Sequence, residues 1–490
     1  MKEKKVRSIK VNALLNVIRQ CSNVILPLIL YPYITRVLGA ANLGKYTFSL
    51  SVVEYAGIFA LLGIPTYVVR EGARVRENKE QIEKLTSELF TFSLICMILS
   101  VAVLYLLTMF VPKLNSNLIL IFILSANVIT NVLGRDWILT IYEDYLFISL
   151  RYIILKLIAL ILILIIVKQP EDYVKYALIN LISDSGGYVL NIWYTQRYIP
   201  LRITLHPNIK KHIRPIMYLF CTTLAVKIYI ESDIMLLGFM RTEAEVGIYG
   251  VASKVYSVVK SVLNAIILVA IPRLSLYLGN QQNTEYRKLL KDLKSVLMVL
   301  IFPSIVGAVC LSRNIMLIMG GADFVSGASA FRILCIALFF AVMGCYYAQG
   351  VLVPNRGEKY FFISTFVSAA VNIILNFVCI PLWGISGAAI TTLIAEGLIL
   401  FTCRYFSRQY TQIETASGLV PVLLGCILIA AVCMGVKMLN LSLTIETVLC
   451  IIISAAVYAA VLFAGKNPLA ISVLNAMKSR FKGKSKEGEQ

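Results

Sequence analysis

The sequence predicts an all-α, polytopic membrane protein of about fourteen transmembrane helices, built as two six-helix lobes in parallel repeat followed by helices 13 and 14. Three observations carry this prediction. Of 490 residues, 59% are hydrophobic and only 15% charged, whereas a soluble domain carries about 25% charged residues. The apolar residues come in blocks such as Leu89 to Val111, Ile148 to Val167 and Ser295 to Met319, close to the ~20 residues that cross a bilayer as a helix. Lysine and arginine collect in every second gap between blocks, the pattern the positive-inside rule produces in a multi-span chain.

The N-terminus, Met1 to Lys10, is basic and precedes an apolar block, as in a signal peptide. Asn16 and Arg19 interrupt that block and no small-residue cleavage site follows, so it reads as a retained first helix. Hydropathy then places spans at 12–35, 46–65, 87–111, 118–140, 148–167, 174–195, 216–238, 247–271, 295–319, 329–350, 361–381, 385–403, 418–438 and 445–464. One set of gaps carries Lys2 to Lys10, Arg70 to Lys84, Arg197 to Arg214, Arg273 to Lys294, and a tail from Lys466 to Lys486. The opposite set has only scattered members, among them Arg36, Lys45, Lys113, Lys168, Lys175, Arg241 and Lys437. Strict alternation implies an even number of spans with both termini cytoplasmic.

A repeat accounts for the lobes. Leu43-Gly44-Lys45-Tyr46 follows span 1, and a helix then leads to Ile64-Pro65 and a basic loop. Val246-Gly247-Ile248-Tyr249 follows span 7, and a helix leads to Ile271-Pro272 and another basic loop. The offset of six helices is even, so both halves share orientation, related by an axis along the membrane normal. In each copy the glycine is expected to make the tight turn by which the chain re-enters the membrane, with the tyrosine at the interface. The resulting division is 1–215 for the first lobe, 216–416 for the second, 417–465 for helices 13 and 14, and 466–490 for a basic cytoplasmic tail.

The net charge of +20 follows from loop topology, and no basic stripe with interleaved aromatics points to nucleic acid. Eleven cysteines fall mostly inside apolar blocks without a CxxC pair, so they read as small packing residues, and no disulfide framework is supported. His206 and His212, the only histidines, share one loop and leave little for metal ligation. No phosphate loop, Gly-x-Ser-x-Gly elbow or His-Glu-x-x-His helix occurs, and no cofactor is indicated. Asp136, Glu143 and Asp144 form an acidic group of the kind a membrane glycosyltransferase uses, but the chain offers no globular domain to hold a nucleotide sugar.

A charge at the bilayer centre costs about 2.5–3.5 kcal/mol on insertion scales, so ionisable residues within spans need a reason. Candidates are Arg19 in span 1, Glu54 in span 2, Lys227, Glu231 and Asp233 in span 7, Lys254 and Lys260 in span 8, Arg332 in span 10 and Glu396 in span 12. Arg135, Asp136, Lys156 and Asp184 lie nearer span ends, where snorkelling to headgroups would suffice. Lys227 and Glu231 stand one helical turn apart and could pair. Glu54 could neutralise Arg19 or a lysine of span 8. The functional alternative is a wet, net cationic cavity between the lobes in which Arg19, Lys227, Lys254 and Lys260 attract an anionic substrate. Glu54, Glu231, Asp233 and Glu396 are then candidates for ion coupling or charge balance.

The stretch Pro27-Leu-Ile-Leu-Tyr-Pro-Tyr-Ile-Thr-Arg-Val-Leu-Gly39, continued through Gly44-Lys45-Tyr46, Leu62-Gly63-Ile64-Pro65 and Val69-Arg70-Glu71, resembles the first-helix signature of Wzx-type polysaccharide flippases. The Trp383-Gly384-Ile385-Ser386-Gly387-Ala388-Ala389 turn is similar to another element of that group. These flippases belong to the multidrug/oligosaccharidyl-lipid/polysaccharide exporter superfamily. The resemblance implies a non-enzymatic, two-lobe transporter of O-antigen or capsule repeat units working by alternating access in the bacterial plasma membrane. Its substrate would be an undecaprenyl-pyrophosphate-linked oligosaccharide moved from inner to outer leaflet. Its partners would be membrane lipids, a polysaccharide polymerase and glycosyltransferases, with no nucleic acid. The family's cavity is generally cationic; by position Arg19 fits, and Lys254 less closely. Rival readings are an ion-coupled multidrug exporter or a peptidoglycan-precursor flippase of the same superfamily. A membrane polysaccharide polymerase or ligase is a third, although every predicted outside loop is short.

Overall fold

The computed structural model describes residues 9–200, 202–204, 207–410, 418–468 and 470–471, with side chains in the first helix given for Ser22, Leu26 and from Leu28 onward. Among these residues the regular structure is all helical, with no strand, and ten helical stretches are long and apolar enough to cross a membrane. Their outward faces are oily: Ile98, Leu106 and Phe110 on one helix are 61%, 55% and 77% exposed, the mark of a surface solvated by lipid.

The first helix, α1, runs Ile9–Leu61 and is interrupted by non-helical geometry at Gly39 (φ 71°, ψ 173°). Only glycine adopts such a backbone without strain, so one element holds two apolar segments in series. The expected re-entry turn at Gly44 is therefore corrected. The break comes earlier, at Gly39, and Gly44 is helical. The basic stretch after Pro65 is not a loop either. It contains α2 (Ile64–Val75), which buries Ile64, Tyr67, Val68 and Gly72 and exposes Arg70 and Arg74. Pro65 sits in its first turn, where a missing N–H costs nothing.

Next come α3 (Lys79–Phe110), capped by Asn78, the short α4 (Pro112–Asn115), α5 (Leu118–Gly134) and α6 (Asp136–Ile141). Then follow α7 (Tyr145–Ile166) and α8 (Tyr173–Tyr194). In the α7–α8 connection Asp172 accepts from the backbone N–H groups of Lys168 (2.9 Å) and Gln169 (3.0 Å). The Lys175 ammonium, with these two N–H groups, holds its carboxyl down at about 2. The first half ends with α9 (Lys210–Met240) and the start of α10 (Glu243–Gly279). Gly247 lies inside α10, and the turn precedes it at Arg241 and Thr242. α10 also continues through Pro272 where a loop was expected.

The remaining elements are α11 (Asn283–Cys310), α12 (Ser312–Gly320), α13 (Ala328–Cys345), α14 (Glu358–Ser407), α15 (Leu419–Met438) and α16 (Leu443–Ala464). Arg287, Lys288 and Lys291, assigned to a loop by charge, lie within α11, because charge marks the membrane boundary and not the helix end. α14 breaks at Gly384 (φ 54°, ψ −131°), at the Trp383-Gly384 turn anticipated from the sequence.

The chain divides into two compact units, 1–250 and 251–490. In the first, Ile64, Val68, Ile82, Leu89, Ile138 and Ile216 form a core between α2, α3, α6 and α9. His212, expected in a loop, is instead buried in the first turn of α9, where its Nδ1 lies 2.7 Å from the Tyr67 hydroxyl and its Nε2 3.4 Å from the Glu88 carboxylate. His206 lies outside the described residues. In the second unit Leu311, Ile429, Cys433, Val436 and Cys450 pack together, so these cysteines act as small hydrophobes.

Candidate functional site

The first unit encloses a cavity of about 840 Å³. Its wall is formed by the second segment of α1 with α5, α7, α8 and α9. The helices are apolar toward lipid, yet the wall presents Glu54, Asp136, Arg151, Asp184 and Lys227, together with Asn127, Asn131 and Asn180. Three ion-pair clusters organise these groups.

On α9, Lys227 reaches Glu54 of α1 at 2.5 Å and also pairs with Glu231 one turn along its own helix. One ammonium thus serves two carboxylates. Lys227 is 17% exposed, so the attraction is poorly screened. On α7, Arg151 donates to Asp136 (3.0 Å), to the Gly187 carbonyl (2.8 Å) and to Asn191. Asn191 in turn donates to Asp136 at 2.8 Å. Gly187 makes room for this arginine, since a Cβ there would lie 3.1 Å from Arg151 Nε. Asp136 is aimed into the cluster because Arg135 takes a left-handed backbone (φ 45°) that ends α5 and starts α6. The third cluster is Lys156 with Asp184 at 2.7 Å.

Arg135, Asp136, Lys156 and Asp184 therefore do not reach for headgroups. The Arg135 residue is 2% exposed and donates to Thr195 Oγ1 at 3.0 Å. In low dielectric a partner close at hand wins over a long reach to water. The acidic group also separates: Asp136 goes to Arg151, Glu143 to Arg76 (3.0 Å), and Asp144 accepts from Tyr194 (2.7 Å) and Tyr198 (2.8 Å).

The other anticipated residues are distributed as follows. Glu54 meets Lys227 of α9, not a lysine of span 8. Asp233 accepts from the Tyr249 hydroxyl at 3.0 Å. In the second unit Lys260 pairs with Glu396 at 2.5 Å, and Tyr256 donates to the same carboxylate at 3.0 Å. Lys254 belongs to that unit too and makes no ion pair among the described residues. Arg332 donates to Ser312 at 2.7 Å. The Arg19 side chain lies outside the described residues. On the first-unit cavity wall, three carboxylates stand against two cations, so this cavity carries no cationic surplus. Sequence reasoning passed over Arg151 entirely. The available signal was the polar series Asn180, Asp184, Tyr188, Asn191, which falls on one face of α8 at helical spacing.

Breaking the Arg151 cluster has a defined cost. Arg151→Leu leaves Asp136 with Asn191 alone, and losing one partner of a buried pair costs about 3 kcal/mol. Thermal unfolding in detergent should shift downward, and Arg151→Leu/Asp136→Leu should recover much of the loss.

Comparison with known proteins agrees with this architecture. Residues 9–278 match the family described as polysaccharide biosynthesis protein. The chain belongs to that family. It is thereby one of the Wzx-type polysaccharide flippases of the exporter superfamily named by the N-terminal motifs. The putative O-antigen transporter of Escherichia coli (strain K12) is 22% identical over 425 residues, spanning 82% of this chain and 97% of the relative. The capsular polysaccharide biosynthesis protein CapF of Staphylococcus aureus is 20% identical over 380 residues, spanning 75% and 91%. Among solved structures, the lipid II flippase MurJ in an inward closed conformation superposes with a TM-score of 0.72 at 15% identity, covering 93% of this chain and 99% of that one. At that identity the likeness establishes the fold of the family member.

Proposed function

We propose that this protein flips undecaprenyl-pyrophosphate-linked oligosaccharide repeat units from the inner to the outer leaflet of a bacterial plasma membrane, by alternating access, for O-antigen or capsule assembly. The observation that carries this reading is the large polar cavity inside an otherwise lipid-facing helical unit of a polysaccharide-transport family member. A hydroxyl-rich headgroup needs such a polar path, while a polyprenyl tail remains in lipid. In this reading the chain has fourteen spans: breaks at Gly39 and Gly384 divide α1 and α14 into two spans each, and α5 and α8 add two more. Two lobes, 1–215 and 216–416, alternate access between the two sides, with 417–465 as an added pair, 466–490 as a tail, and both termini cytoplasmic.

Arg19, Lys227, Lys254 and Lys260 draw in the pyrophosphate. Lys254 fits that role best, since no carboxylate among the described residues neutralises it. Lys227 and Lys260 already hold carboxylates, so a pyrophosphate must compete for them. Glu54, Glu231, Asp233 and Glu396 are the groups that would couple transport to a proton or sodium gradient, and polymerase and glycosyltransferases are the partners in sequence. The test is reconstitution in liposomes with a polyprenyl-pyrophosphate oligosaccharide and an impermeant probe of headgroup exposure. Protein-dependent flipping is expected, and Arg19→Ala should abolish export without lowering membrane protein levels. Full export by Arg19→Ala would remove the anion-anchoring role, and absence of flipping would remove the function.

A further inference from the structure

The first-unit cavity also indicates which sugars it accepts. Its charged groups are already satisfied by one another. Lys227 is held between Glu54 and Glu231, Arg151 by Asp136, and Lys156 by Asp184. Counting the partners behind the wall, carboxylates exceed cations by one among the described residues. By contrast, several uncharged hydrogen-bonding groups are uncommitted. Asn127 and Asn131, one turn apart on α5, both line the cavity, and neither amide bonds a described residue. Ser183 Oγ, also on the lining, is buried without a partner. An amide left unmatched in the folded state is unfavourable, so the partners of the lining amides Asn127 and Asn131 are expected to be water or a ligand. A volume of about 840 Å³ falls within the range of about 300–1,000 Å³ typical of small-molecule sites.

We propose that this cavity is a recognition site for an uncharged sugar of the lipid-linked glycan, hydroxyl or acetamido in character, and that it rejects sugars bearing a carboxylate. The inference rests on the flippase reading for the identity of the lipid, but the selectivity belongs to the wall itself. Asn127 and Asn131 each offer an amide that both donates and accepts, matching a hydroxyl, which also does both. A uronate would enter a wall whose cations are committed and whose carboxylates are in excess. It would be desolvated without a counter-charge, which is strongly unfavourable.

The experiment uses the purified full chain in nanodiscs and two probes. One is a polyprenyl-pyrophosphate disaccharide of neutral sugars. The other is the same lipid with its terminal sugar oxidised at C6 to the uronate. The neutral probe is expected to bind at least tenfold more tightly. Asn131→Leu should weaken the neutral probe about tenfold, and Asp184→Asn, which removes the excess carboxylate, should narrow the neutral-to-uronate ratio at least threefold. Equal or tighter binding of the uronate overturns the proposal, as does failure to bind either probe or indifference to Asn131→Leu. Transport is read separately in liposomes. A tenfold binding preference without flipping would leave the sugar site standing and remove the flippase reading. Flipping of both probes with equal affinities would do the reverse.

Discussion

Lys227→Met is expected to produce the largest loss of stability of any single charge removal in the first unit. The substitution is close to isosteric, so packing is little disturbed. What it removes is the one ammonium shared by Glu54 and Glu231. The two carboxylates would then repel each other across the space that Lys227 occupied. Removing one partner of a buried pair costs about 3–5 kcal/mol. Here two acids lose their counter-charge together, although Glu54, at 40% side-chain exposure, retains some hydration and softens the effect. We expect lower expression and an unfolding midpoint reduced by several degrees in fluorescence-detected size-exclusion melts. The triple variant Lys227→Met/Glu54→Gln/Glu231→Gln should regain the midpoint without regaining export. A Lys227→Met protein that melts with the wild type would show that Lys227 contributes nothing net to the fold.

The second large effect is expected at the glycine crossing in the first unit. A Cβ on Gly44 would lie 1.7 Å from the backbone oxygen of Glu243, and one on Gly247 would lie 2.1 Å from the backbone oxygen of Ala40. The same hypothetical atoms come within 2.9 Å and 3.1 Å of the other glycine's nitrogen. These obstacles are backbone, which cannot rotate aside, so even alanine must push the helices apart. Overpacking typically costs about 1–3 kcal/mol and more where the backbone must move. Gly44→Ala and Gly247→Ala should each lower the melting midpoint and abolish export. Gly57→Ala is the internal control: its Cβ would meet only Val128, at an ordinary 3.7 Å, and it should behave as wild type. Wild-type export by either crossing variant would show that this close approach is dispensable.

These two glycines illustrate how sequence and structure divide the work. Both were visible as matched elements of a repeat, Leu43-Gly44-Lys45-Tyr46 and Val246-Gly247-Ile248-Tyr249. The local reading, that a glycine near a membrane boundary makes a turn, was wrong for both. The turn function fell to Gly39 in one case and to Arg241 and Thr242 in the other. A glycine's missing Cβ has two uses, unusual φ and close approach, and the sequence does not distinguish them without the facing helix. At Gly384 the turn reading held, because the positive φ is a property of the chain itself.

The charged residues divide similarly. Lys227 and Glu231 were legible as a possible pair because i,i+4 spacing is a local rule. Glu54 and Lys227 are separated by 173 positions, and Lys260 and Glu396 by 136; no local rule connects them. Asp136 and Asp184 looked like span-end residues by position and line the cavity instead, with Lys156 paired behind Asp184. A hydropathy profile locates a residue along a helix axis but not around it.

The sequence by itself determined that this is a many-span helical membrane protein of the polysaccharide-flippase kind. Transfer of apolar side chains into lipid is nearly additive along the chain, and the family motifs are contiguous. The tertiary structure alone decided which buried charges neutralise one another, which amides remain for a ligand, and where two backbones touch. Each of those is a relation across helices, set by distances of a few ångströms between residues far apart in the chain, in a medium where a charge without a near partner is too costly to keep.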